Sequence, residues 1–157
     1  VSEQDRWEAV ETLWEDDEDG LFLTLAARVK AKEDGTAGDA LRQWNPPEEA
    51  FAIDLEAGPE WTAMMKEFGE RWWKKLEPKL YDLLCNEENK DHNALMEALG
   101  EGAKTLAVTL AGLIVAPEVV PAIAVVIATI AAKKIWDAGL ETVCEMWEES
   151  LEERKAE

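Results

Sequence analysis

Five carboxylates in a row followed by a glycine, Glu15-Asp16-Asp17-Glu18-Asp19-Gly20, come nearest to a metal loop in this sequence. With Gly20 at the turn position, Asp17 and Asp19 fall where calcium ligands belong. The first ligand would then be Glu15 rather than an aspartate, and the closing bidentate glutamate would fall on Ala26. A loop without that last ligand holds calcium poorly, so the run reads as a solvated turn and no metal is assigned. The single histidine, His92, lies in the polar segment NEENKDHN with no second histidine or cysteine nearby, and reads as a surface residue. Cys85 and Cys144 are too few for a disulfide scaffold and lack metal-ligand spacing. The serines are Ser2 and Ser150, and no nucleophile elbow, phosphate-binding glycine loop or HExxH motif is present. Glu118 is the one carboxylate in an apolar stretch, and its lone place beside a turn suits a helix N-terminus rather than a catalytic pair. These residues predict a protein that is not an enzyme and uses no cofactor.

The elements that carry them are organised around residues 105–132, TLAVTLAGLIVAPEVVPAIAVVIATIAA, which hold one charge in 28 residues. Two prolines four apart, Pro117 and Pro121, cannot both lie deep in a helix, so residues 116–121 are expected to form a tight corner between two helices. The hairpin spans 94–152, with one arm starting near Asp91–Asn93 and the other running unbroken from about Val119 to about Glu152. Ile135, Trp136, Leu140, Val143, Cys144, Trp147 and Leu151 are expected to face inward on that second arm. Counting ~22 residues from the tip along each arm, at ~1.5 Å per residue, places Asn93 and Val143 on one level. Cys85, which enters through the 86–93 turn, then comes near Cys144. Two separate packed thiols are the favoured reading and a redox staple is the alternative.

Lys104, Lys133 and Lys134 bracket the apolar stretch at one level. Each apolar arm above them measures ~18–21 Å, short of the ~30 Å of a bilayer core, which disfavours a simple two-span membrane protein. Two readings remain. Residues 105–132 form the core of a helical bundle, or a sheathed hairpin is released into a bilayer with the lysines at the interface and Glu118 neutralised on entry. In layout, residues 104–134 resemble the hydrophobic helical hairpin of pore-forming colicins and of the Bcl-2 class, and the resemblance implies the second reading.

The rest of the chain must cover that hairpin. Residues 2–16 read as a helix capped by Ser2 with Asp5, carrying Trp7, Val10, Leu13 and Trp14 on one stripe and ended by Gly20. LFLTLAARVKAK, 21–32, is a second helix, and a short third is expected over 37–44. Pro46-Pro47 forces an extended segment that wraps the helices to residue 58, with Phe51, Ile53 and Leu55 alternating. Gly58-Pro59 opens a long amphipathic helix to Cys85, which Pro78 should kink. The expected architecture is all-α, a single-domain bundle of five or six helices around a central hydrophobic helical hairpin. It comprises acidic N-terminal helices (1–45), a wrapping segment (46–58) and a main body (59–157).

Net charge is −19, from 16 basic and 35 acidic residues, and the first 58 residues are the most acidic part. Such a surface repels phosphate and excludes nucleic acid as a partner; a protein partner, a basic one in the sharper reading, fits it. A membrane is the alternative partner, and homo-oligomerisation is not legible. Trp7, Trp14, Trp44, Met64 and Met65 are the candidate partner surface. The N-terminal residues lack a basic start and an apolar run, so no secretory signal is read. A reducing cytoplasm is the expected setting, with membrane association on activation under the second reading. The function expected is protein–protein interaction or regulation; the alternative is a membrane-active, pore-forming or permeabilising effector.

Overall fold

The computed structural model describes residues 2–51 and 58–156. Seven α-helices follow one another: α1 (Ser2–Trp14), α2 (Glu18–Asp34), α3 (Pro59–Cys85), α4 (His92–Glu101), α5 (Ala103–Ile114), α6 (Pro121–Ala138) and α7 (Leu140–Ala156). Two short 3₁₀ turns, Gly38–Arg42 and Glu48–Ala50, lie between α2 and α3. The fold is an all-α bundle, and no strand occurs among the described residues.

The apolar stretch is the centre of it. Every residue from Ala122 to Ala132 on α6 is buried, as an all-round apolar helix requires in water. The one polar member, Thr129, satisfies its hydroxyl on the Val125 carbonyl at 2.7 Å. α5 lies alongside α6; α1, α2 and α7 also contact it, and α3 packs over α2 and α7. The corner forms at Ala116–Val119, where the two residues exchange backbone hydrogen bonds of 3.0 Å, and Pro121 opens α6 at a position that needs no N–H donor.

The arms of the hairpin are not the two continuous helices that the periodicity predicts. Gly102 (φ 150°) separates α4 from α5, and Gly139 (φ 90°) separates α6 from α7. A residue with a side chain resists both conformations, so the chain turns at these glycines. This is why seven α-helices stand where five or six helices are expected. The break at Gly139 also resets the helical phase, and Trp136 ends up 60% exposed rather than facing inward.

Near the N-terminus, α1 ends at Trp14 and Gly20 belongs to the first turn of α2 rather than ending α1. Asp17 caps α2 by accepting from the Gly20 N–H at 2.8 Å. The helix expected over 37–44 is the first 3₁₀ turn. Of the wrapping segment, Phe51 is buried against Ala27, Ala31 and Ala122, and Ile53 and Leu55 lie outside the described residues. α3 spans the range that its periodicity predicts. Gly69 on α3 sits against the Phe22 backbone carbonyl of α2, where a Cβ would collide, so the two helices meet at backbone distance.

Candidate functional site

Two of the three lysines at the edge of the apolar stretch hold the helices together. Lys133 donates to the carbonyls of Trp14 (2.8 Å) and Asp16 (2.6 Å), satisfying backbone acceptors at the end of α1. Its ammonium also lies 5.5 Å over the Trp14 ring. Lys134 pairs with Glu18 at 2.7 Å and lies 5.9 Å over both Phe22 and Trp73. Lys104 is exposed at the start of α5. Glu118 is exposed on the corner, not in an apolar setting.

Arg154 on α7 completes α3. Pro78 has no N–H to give the Lys74 carbonyl four residues earlier. Arg154 Nη1 donates to that carbonyl at 2.7 Å, and Nη2 pairs at 3.0 Å with Glu77, whose side chain is 8% exposed. Pro78 was legible as a disturbance in α3; the residue that repairs it, 76 positions away, was not.

The thiols of Cys85 and Cys144 are joined in a disulfide, with Cα atoms 5.7 Å apart, so the favoured reading of two separate thiols gives way to the staple. It ties the end of α3 to α7. His92 is buried, not a surface residue. Its Nδ1 lies 3.2 Å from the Leu83 carbonyl, and because a carbonyl only accepts, Nδ1 carries the proton. Among the described residues no cluster of His, Cys, Asp or Glu could hold a metal ion.

The tryptophan and methionine candidates divide. Trp7, Trp14 and Trp44 are half-buried against the core, with Trp44 lying 5.4 Å under the Arg6 guanidinium. Met65 is buried and presents no surface, which corrects its place among the partner-facing residues. Met64 is 56% exposed.

A groove that sequence reasoning did not locate lies between the start of α2, α3, the end of α6, and α7. Its volume is about 610 Å³, in the range of pockets that bind small molecules or several side chains. Leu21, Trp73, Ile130, Val143 and Trp147 form its apolar floor. Trp73 anchors that floor, edge-on to Phe22 (6.2 Å) and tilted against Trp147 (6.3 Å). Met146 stands at the mouth, 58% exposed. Asp17, Glu18 and Asp137 lie on the rim with Lys133 and Lys134. The groove joins residues 17 to 150 and depends on the turn at Gly139, so no local motif announces it.

Two exposed groups away from the groove are electrostatically perturbed. Hydrogen bonds from Asn86 and Asn89 hold the Asp82 carboxyl below the usual range, and the bond and charge of Asp19 raise the Lys66 ammonium.

No protein family, curated protein or solved structure matches this chain. No helix among the described residues is long and apolar enough to cross a membrane.

Proposed function

We propose that this chain is a non-enzymatic protein-interaction module that recognises a basic partner. The observation that carries the reading is where its charges go. Among the described residues, nine of its 16 cations, Arg6, Arg28, Lys30, Arg42, Lys66, Arg71, Lys133, Lys134 and Arg154, are engaged with the protein's own carbonyls or carboxylates. The fold spends its positive charge on itself, in a chain of net charge −19. The remaining acidic excess attracts a cationic surface over several ångströms and speeds its encounter.

Release of residues 105–132 into a bilayer would have to strip α1, α2 and α7 from α6, whose residues 122–132 are all buried. That burial favours the interaction reading over the membrane-active one. The Cys85–Cys144 bond favours an oxidising compartment over the reducing cytoplasm.

The test presents the purified chain with helical peptides matched in length and helicity but strongly positive, neutral or strongly negative in charge. Retention of the positive set, weakening steadily as salt rises, is the expected result. Equal retention of all three sets, or of none, would sink the reading.

A further inference from the structure

We propose that the groove between α2, α3, α6 and α7 receives a basic amphipathic helix of the partner; this rests on the basic-partner reading above and gives it a site. Both long walls of the groove run for about two helical turns. On α7 they extend from Val143 to Ser150, and on α6 from Ile130 to Asp137. Seven residues at 1.5 Å each make a length of ~10.5 Å. A guest helix with apolar anchors at i, i+4 and i+7 spreads them over the same distance, which is how amphipathic helices dock in grooves.

The floor is apolar and already packed around Trp73 and Trp147, so a guest side chain meets them without reorganising them. Met146 at the mouth is unbranched and adaptable, and can close over differently shaped anchors.

Charge decides the rest of the guest. The two lysines on the rim are held by Glu18 and by the end of α1, and face their own partners. Asp17, just ahead of α2, and Asp137, on α6, are exposed on the rim of the groove. A guest with lysines or arginines flanking its apolar stripe meets opposite charge there, and an acidic guest is repelled.

The experiment is a display selection of random helix-length peptides on the full chain with its disulfide intact. The winners are then titrated against Met146→Gln, Asp137→Asn and Glu101→Gln, each confirmed folded by its melt. Met146→Gln removes the apolar lip without changing charge. Asp137→Asn removes one rim charge, and Glu101→Gln removes one on α4, outside the groove. Winners are expected to be strongly basic with apolar residues at helical spacing. They should lose about tenfold in affinity for Met146→Gln, lose affinity for Asp137→Asn, and be unchanged by Glu101→Gln. Basic winners indifferent to Met146→Gln and Asp137→Asn would overturn the groove and leave the basic-partner reading standing. Neutral or acidic winners that do need Met146 would overturn the basic guest. No winners, or winners that are neither basic nor sensitive to the groove, would overturn both.

Discussion

Arg154 shows how one side chain can finish another element's backbone. In α3 the Lys74 carbonyl would normally accept from residue 78, and Pro78 cannot donate. The guanidinium from α7 supplies that donor and neutralises Glu77 with its second nitrogen. Replacing Arg154 with Met keeps the stem's packing but leaves the Lys74 carbonyl to solvent and strands a buried carboxylate, at an expected cost of about 2 kcal/mol. Arg154 is about one-third exposed, so the figure lies below that of a fully buried pair. Pro78→Ala restores the N–H, and in that background Arg154→Met should cost about 1 kcal/mol less, because only the Glu77 pairing is then lost. A double-mutant cycle by urea unfolding reads this coupling directly. Additive costs would mean that Arg154 does nothing for the missing hydrogen bond.

At the scale of elements, α7 folds back along α3 after the turn at Gly139 and is held there by three links: Trp147 on Trp73, Arg154 on Lys74 and Glu77, and the Cys85–Cys144 bond. The bond closes a loop of 59 residues, which in the chain-entropy account stabilises by about 4 kcal/mol at most. Replacing both cysteines with alanine should therefore lower the urea midpoint strongly, and a reductant should do the same to the natural chain and nothing to the variant. An unchanged midpoint would leave α7 held by its side chains alone. Much of this arrangement was legible in advance. The prolines at 117 and 121 specify the corner and the stripe from Trp61 to Leu84 specifies α3. Level-counting along the hairpin brings Cys85 near Cys144, but through unbroken arms, whereas the two meet because α7 folds back along α3. The breaks at Gly102 and Gly139 were not legible, because a glycine in a helical pattern (even Gly102, two residues after Gly100) is often tolerated and becomes a turn only when tertiary packing demands one. Trp136 belongs to α6, and the inward stripe of α7 does not extend back across Gly139 to it. The groove inherits that difficulty, since its walls meet only after the turn at Gly139.

For the whole molecule the decisive quantity is the net charge of −19 on 157 residues. Like charges at this density repel one another more in the compact fold than in the expanded chain, so the fold carries a self-repulsion that salt relieves. Salt also weakens the ion pairs Lys66–Asp19 and Lys134–Glu18, but both are partly exposed and worth little each. The net effect near pH 7 is therefore set by repulsion. Raising sodium chloride from about 10 mM to about 1 M, where the screening length falls from ~30 Å to ~3 Å, should raise the melting temperature. Capture of a basic partner should respond with the opposite sign, because the same screening removes the attraction between the two surfaces. Measuring melting temperature and peptide affinity across one salt series tests both halves together. A melting temperature that falls with salt would mean that specific ion pairs outweigh the global repulsion. An affinity that holds steady while the melting temperature climbs would mean that the groove recognises its guest by apolar contact alone, with the acidic surface serving solubility.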